Sequence, residues 1–198
     1  MIEQLKIDFV KINESLKLSD KTIELRQHNL NQFAKNGFPN KKLEDWKFSD
    51  LNQIITSNIK NLSFYCDIEK TKIDESIFIK NIEHNKIIYV NGKIFKVDFQ
   101  HEDESKIIFI KDLAKNESFK KVNSLVSLNN AFISSYIKLT IKESYSFNKP
   151  LIVYNVTTKN LKSTALNFKI DIILEKNSSL KLVTLFDDNS DNNFINII

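Results

Sequence analysis

Hydrophobic residues at the start of the chain recur with helical spacing. Steps of three and four residues separate Ile2, Leu5, Phe9, Ile12 and Leu16. This spacing places the five side chains on one face of a helix. The first 16 residues are therefore predicted to form an amphipathic helix.

A second helix is predicted from Asp20 to Asn36. Ser19 is suited to cap it, because a serine hydroxyl accepts a hydrogen bond from a free N–H of the first turn. Gly37 stands where a left-handed residue commonly ends a helix, and Pro39 blocks its continuation. The predicted apolar stripe consists of Ile23, Leu30, Phe33 and Ala34.

A third, shorter helical stretch is predicted from Leu43 to about Ile55. Its apolar residues are Trp46, Leu51, Ile54 and Ile55. Glu44 and Asp45 fall in the first turn, where carboxylates complement the positive end of the helix dipole.

From about Ser63 the pattern changes to one typical of strands. Ser76–Lys80 and Ile107–Ile110 are predicted to be short strands. Asn91-Gly92 separates two β-rich runs, and both residue types tolerate positive φ, so a hairpin is predicted over residues 86–98. The stretch from Asp112 to about Ser135 fits either a short helix or a loop.

The last third of the chain contains strand-like runs at nearly constant spacing. They start near Ile137, Leu151, Leu166, Leu180 and Phe194, which are 14 or 15 residues apart. Polar breaks separate them. This period is compatible both with a β-solenoid, whose coils stack on each other, and with a meander of antiparallel hairpins. The pattern alone does not decide between the two.

Length and composition narrow the function classes. The chain has 198 residues, enough for one domain or a small pair. Its two glycines, Gly37 and Gly92, are too few for a dinucleotide fingerprint, a P-loop or a nucleophile elbow. A single cysteine, Cys66, excludes an internal disulfide and a four-thiolate iron–sulfur site.

The charge pattern does not favour a nucleic acid or a membrane as partner. The net charge is +4, but Arg26 is the single arginine, and the lysines are interleaved with acidic residues. We interpret them as a solvated surface. Apolar runs are too short to span a bilayer, and the N-terminus does not resemble a secretion signal, so a cytoplasmic protein is expected.

The candidate metal and thiol residues are dispersed. His28, His84 and His101 have no second ligand at metal-binding spacing, so no metal site is predicted. His28 is expected on a helix surface or in packing, and His84 and His101 are expected to be exposed near turns. Cys66 is interpreted as a packing residue.

The acidic cluster of Asp187, Asp188 and Asp191 is the strongest candidate for catalysis. Close carboxylates can bind Ca²⁺ or hydrolyse glycosides. Because the run contains no glycine for a tight metal loop, a solvated turn between strands is favoured.

The aromatic residues Phe38, Trp46 and Phe48 fit a stacking platform or a helical core, and the core is favoured. No catalytic set is visible. The residues alone therefore predict a binding or scaffold protein with no catalytic, cofactor-binding or metal-binding residue.

The segment Gly37–Leu51, preceded by a helix with Arg26 and Phe33, resembles the N-terminal signature of the SufB/SufD family, on the SufD side. It contains a Gly-x-Pro turn, then Lys-x-Glu-Asp-Trp-Lys and an aromatic-Ser-Asp-Leu. Leu128–Phe132 and Lys149–Ile152 resemble two later elements of the family, in the same order.

This resemblance implies a right-handed parallel β-helix with two strands per turn, behind a helical region. It favours the solenoid over the meander. The expected fold is α+β and mostly β. It would comprise a helical region over 1–62, a mixed region with the hairpin over 63–135, and the start of the β-helix over 136–198.

The resemblance also implies a role in iron–sulfur cluster assembly. The chain would be a non-catalytic scaffold in a complex with SufB and the ATPase SufC, and that complex would handle the cluster. Family members are about twice as long, so a truncated or split form is expected, and no ligand residue is carried over.

Two other hypotheses remain at this point. One is a carbohydrate-active β-solenoid enzyme that uses Asp187 and Asp191. The other is a general interaction module that docks a partner helix on the apolar stripe of Ile2–Leu16.

Overall fold

The computed structural model describes residues 2–59, 61–66, 73–113 and 123–198, and this part of the chain has an α+β fold. The helices are α1 (Ile2–Leu16), α2 (Asp20–Asn36), α3 (Leu51–Asn58) and α4 (Ser124–Phe132). The strands are β1 (Asn85–Val90), β2 (Lys93–Asp98), β3 (Ile107–Ile110), β4 (Ser135–Ile141), β5 (Leu151–Thr157), β6 (Ala165–Leu174), β7 (Leu182–Asp188) and β8 (Phe194–Ile197).

The first two helices and their boundaries are confirmed. The Ser19 hydroxyl accepts a hydrogen bond from the Thr22 N–H at 3.4 Å. Gly37 has φ +66°, and its N–H donates to the Phe33 carbonyl at 2.7 Å. The apolar faces are narrower than predicted, because Ile2 and Ala34 are exposed.

The third predicted helix is wrong in its first half. A short 3-10 turn covers Glu44–Trp46, and α3 begins only at Leu51. The Asp50 side chain accepts from the Gln53 N–H at 2.8 Å and so caps a separate helix. The capping residue in the middle of the stretch therefore defines a new helix start.

The predicted hairpin is confirmed. Strands β1 and β2 pair antiparallel across Asn91 and Gly92, which have φ +48° and +74°. The Asn91 N–H donates to the Val156 carbonyl on β5 at 2.9 Å. This bond ties the turn to the neighbouring parallel strand.

The strand predicted at Ser76–Lys80 is wrong. Residues Glu75–Ile77 form a 3-10 turn, in which the Asp74 carboxylate accepts from the Ser76 N–H at 2.9 Å. Strand β1 already pairs with β2 on one side and β5 on the other, so no ladder position beside it is free. The apolar residues of this segment instead pack on the outer face of the sheet: Ile73, Ile77, Phe78 and Ile79. We call residues 73–84 the strap.

The stretch Asp112–Ser135, for which the sequence left a short helix or a loop open, contains a helix. A helix, α4, covers Ser124–Phe132, capped by the Asn123 side chain. The portion over residues 114–122 lies outside the described residues. The strand predicted at Ile107–Ile110 is confirmed as β3.

The strands form two open, mixed, four-stranded sheets. Their orders are β2-β1-β5-β7 and β3-β4-β6-β8. From β4 to β8 the chain alternates between the sheets, and each strand pairs in parallel with the strand after next. Among the strands of the described residues, β2 and β3 are the two that pair antiparallel with their neighbours, β1 and β4. The meander predicted as an alternative for 136–198 is therefore wrong.

Apolar side chains between the two sheets form one core. Ile137 and Leu139 are fully buried there, and the Tyr89 and Phe168 rings stack with centroids 4.6 Å apart. A second core lies among the helices and includes Phe33 and Phe132. Phe194 of β8 packs against this helical core, so the helices are joined to an end of the second sheet.

Candidate functional site

The segment Gly37–Leu51 is anchored at both ends. The buried Phe38 ring lies edge-on to Phe33 and Phe194, with centroids 5.1 and 5.6 Å apart. At the other end, the Pro39 carbonyl accepts from the Asn52 N–H at 3.1 Å. These contacts fix both ends, and the residues between them project from the helical core.

Residues 43–48, which we call the motif turn, present apolar side chains to solvent. Phe48 is 89% exposed, Leu43 is half exposed, and Trp46 is partly exposed. Lys47 pairs with Glu44 at 3.2 Å and lies 5.2 Å from the centre of the Phe48 ring. Aromatic residues are enriched at protein-interaction surfaces. The predicted core position is thus right for Phe38 and wrong for Phe48.

Two buried charged side chains join the helices to the rest of the fold. The Asp8 carboxylate accepts from the Phe64 N–H at 2.7 Å and from the Ser63 hydroxyl at 3.1 Å. Arg26 donates to the carbonyl of Ile133, just after α4, at 2.8 Å. Burial lowers the pKa of Arg26 to about 10. No local pattern in the sequence predicts these pairings, because the partners at residues 63, 64 and 133 are distant in the chain.

Asparagine side chains join α4 to the second sheet. Asn129 donates to the carbonyls of Phe168 and Asn196 at 3.0 and 2.7 Å. Asn196 donates to the Asn167 side chain on the adjacent parallel strand at 3.0 Å. This buried network fixes the helix against β6 and β8, which are adjacent in the second sheet.

His84 is buried, so its predicted exposure is wrong. Its Nδ1 lies 2.7 Å from the Ile82 carbonyl and its Nε2 lies 2.9 Å from the Tyr154 hydroxyl. Because a carbonyl only accepts, Nδ1 carries a proton, and in the neutral imidazole Nε2 then accepts from the Tyr154 hydroxyl. Tyr154 also accepts from the Ile79 N–H at 3.2 Å. The histidine thus holds the strap against β5. His28 is exposed and His101 is partly exposed.

The acidic cluster shapes the turn after β7. Asp188 accepts from the side chains of Ser190 and Thr157 and from the Ser190 N–H, and these bonds lower the pKa of Asp188. Asp187 accepts from the Asn189 side chain at 2.9 Å, and Asp191 is exposed. No three His, Cys, Asp or Glu side chains in the described ranges lie close enough to hold a metal. The arrangement accounts for a hydrogen-bonded turn.

One lysine departs from the expected solvated surface. Lys169 is buried, lies 3.2 Å from Asp171, and sits 5.4 Å from the Tyr136 ring centre. The Tyr136 hydroxyl also donates to Asp171 at 2.7 Å.

Cys66 is partly exposed and packs against the core between the sheets.

The sequence is similar to a known protein family over most of its length. The family model described as "SufBD protein N-terminal region" matches residues 11–153, which is more than half of the chain. No curated protein matches.

Among the helices in the described ranges, none has the length and apolar character to cross a membrane.

Proposed function

We propose, from the premise that this chain belongs to the SufB/SufD family, that it acts in SUF iron–sulfur cluster assembly as a non-catalytic scaffold subunit. The observation that carries the proposal is the family match over residues 11–153, which contains the motif turn. Within the family, the motif favours the SufD side. The proposed partners are a SufB-like subunit and the SufC-like ATPase.

The motif turn is the proposed contact surface for a partner. Its anchored ends set the position of Phe48 and Leu43, and burying these exposed side chains would favour association. Because the turn is fixed before binding, little conformational entropy would be lost on association.

We further propose that β4–β8 form the first coils of a right-handed parallel β-helix. Leu151 pairs with Leu182, and Ala165 pairs with Phe194, so equivalent positions recur about 30 residues apart. Alternation between two sheets with parallel pairing is the arrangement that such a coil requires. A stiff stack of this kind suits a scaffold.

In this proposal the chain itself binds no cofactor and catalyses no reaction. The iron–sulfur cluster is the cargo of the assembled complex, which works in the cytoplasm. The Asp187 and Asp188 side chains at the turn after β7 are engaged in hydrogen bonds, and the Asp191 side chain is exposed. This arrangement does not favour the glycosidase hypothesis.

The test is capture of SufB-like and SufC-like proteins from the source cell on the tagged chain. Phe48→Ser should reduce capture at least fivefold, because it removes the most exposed aromatic side chain of the motif turn. The matched control is Phe95→Ser on β2. The Phe95 ring is 48% exposed, but the residue does not belong to the motif turn.

Failure to capture either partner would contradict the proposal. Equal capture by wild type and the Phe48 variant would locate the contact elsewhere and overturn the role of the motif turn. Turnover of a small molecule by the purified chain would contradict the non-catalytic assignment.

A further inference from the structure

Two polar side chains in the core between the sheets each have a buried atom without a hydrogen-bond partner. Tyr89 of β1 is 1% exposed and Asn155 of β5 is 5% exposed. The Tyr89 hydroxyl and the Asn155 Oδ1 have no partner in the part of the chain that the structure describes. Buried polar atoms in folded proteins nearly always bind another protein atom or an ordered water, because burial without a partner is unfavourable.

Tyr89 and Asn155 are neighbours on the same face of the first sheet. They pair directly in the parallel ladder between β1 and β5, and paired residues of adjacent strands point to the same face. The Tyr89 ring stacks on Phe168 of the second sheet. Both side chains therefore point into the space between the two sheets.

The same two residues line a small cavity in that space. Gly92 of the hairpin turn also lines it, as do Phe168 and Ile195 of the second sheet. The volume that the centre of a water molecule can occupy there is about 10 Å³. This is about the room that a single water needs.

The hydroxyl and the amide oxygen can be satisfied by one bridging molecule. Asn155 Nδ2 donates to the Leu185 carbonyl at 3.3 Å, so the other side of the amide is the acceptor Oδ1. Burial raises the pKa of Tyr89, so its hydroxyl keeps its proton at neutral pH and can donate. A water between the two can accept from the hydroxyl and donate to Oδ1.

We propose that this cavity binds one water molecule, which bridges the Tyr89 hydroxyl and the Asn155 amide oxygen. The bridge joins β1 and β5 through their side chains, in addition to the backbone ladder. Further coils would stack beyond β7 and β8 and would leave the cavity inside the stack. The inference is independent of the proposed function.

The first test is the effect of Tyr89→Phe on urea denaturation of the full 198-residue chain. The variant should lower the denaturation midpoint, because the bound water loses its donor. In an Asn155→Leu background the same change should raise the midpoint, because the hydroxyl there has no bridged acceptor and its burial is unfavourable.

The sign of the effect must therefore reverse between the two backgrounds, and the same sign in both would overturn the proposal. A midpoint raised by Tyr89→Phe in the wild-type background would show a dry cavity and would overturn it by itself. This comparison needs only the conservative variant, so it decides the matter even if Asn155→Leu does not fold.

The second test counts long-lived internal waters by oxygen-17 magnetic relaxation dispersion. The double variant, Tyr89→Phe with Asn155→Leu, should contain one such water fewer than wild type, because both polar partners of the water are removed. Tyr145→Phe is the matched control: its hydroxyl binds Glu102 outside the cavity, and its loss should leave the count unchanged. Equal counts in wild type and a folded double variant would overturn the proposal.

Discussion

At the scale of residues, the segment after α2 contains both side chains that stabilise the fold and side chains that are exposed and able to contact a partner protein. Phe38 is buried against two other rings, whereas Phe48, ten residues later, is almost fully exposed. Both are phenylalanines in one motif, so their substitution separates the two roles.

Phe38→Ala should lower the free energy of unfolding by about 3–5 kcal/mol, because it leaves a cavity in the helical core. Phe48→Ala, its matched control, should change that free energy by less than about 0.5 kcal/mol. Urea denaturation of both variants measures the difference. Equal losses would contradict the assigned burial.

Arg26 positions α2 through its bond to Ile133, but as a buried charge it is expected to add little or no net stability. Its guanidinium is buried, its Nε and Nη2 have no hydrogen-bond partner among the described residues, and burial lowers its pKa to about 10. At neutral pH the folded protein therefore holds a poorly solvated cation, which lowers the free energy of unfolding. This destabilisation would decrease only above pH 10, as the guanidinium loses its proton.

Arg26→Met should be neutral or should raise the free energy of unfolding by up to about 2 kcal/mol, even with the bond to Ile133 lost, because a buried charge is replaced by an apolar group of similar length. Thermal and denaturant unfolding at pH 7 measure this. A loss above about 2 kcal/mol would mean that the guanidinium is well stabilised.

Residue roles were predictable only where a local signal exists. Ser19 and Gly37 were identified from their positions beside an apolar run, because capping depends on nearby backbone groups. The burial of His84 and Arg26 depends on Tyr154 and Ile133, which are 70 and 107 residues away. No local pattern encodes such partners.

At the scale of elements, turn chemistry determines the hairpin. Gly92 needs positive φ, and a Cβ there would also meet the Phe168 ring at 3.3 Å. Gly37 needs positive φ as well, but a Cβ there would meet nothing within 4 Å. A side chain at either position would therefore strain the backbone at positive φ, and at Gly92 it would also collide with the Phe168 ring.

Gly37→Ala should cost about 1–2 kcal/mol of unfolding free energy, the penalty for a left-handed alanine. Gly92→Ala should cost more, because the Phe168 ring must also shift. Denaturation of both variants compares them. A smaller loss at Gly92 than at Gly37 would contradict the turn assignment.

Two hydrogen bonds of the strap share one hydroxyl, that of Tyr154. Tyr154→Phe should cost about 1–3 kcal/mol, because it leaves His84 Nε2 and the Ile79 N–H without their partner. Hydrogen exchange should accelerate over residues 73–84 while amides of β1 and β5 stay protected as internal references. Unchanged exchange of the strap would refute the role of His84.

Element prediction failed where two signals competed. Ser76–Lys80 has an apolar, β-branched composition, but Asp74 favours a turn and both sides of β1 are occupied. Similarly, the helical pattern over Leu43–Ile55 concealed the cap at Asp50. The hairpin had no competing signal, and it was predicted with its correct turn.

At the scale of the whole molecule, the period of 14 or 15 residues located the strands but did not determine their partners. A strand that pairs with its neighbour and one that pairs with the strand after next produce the same spacing. The parallel ladders β4–β6, β5–β7 and β6–β8 decide the matter against the meander. The family resemblance favours parallel stacking, in agreement with these ladders.

The helices, the hairpin and the parallel strands are connected into one framework by buried polar side chains. Asp8 and Arg26 hold the helices, and Asn129 holds α4 to the second sheet. The motif turn projects from this framework with its apolar side chains exposed. This organisation agrees with a subunit that holds other proteins in position.

The most direct measurement of that role uses purified components. The chain is mixed with the SufB-like and SufC-like proteins of its source, and the mixture is analysed by size-exclusion chromatography with light scattering. The account predicts one species of defined mass that contains all three. Elution of a SufB–SufC complex with this chain in a separate peak would contradict it.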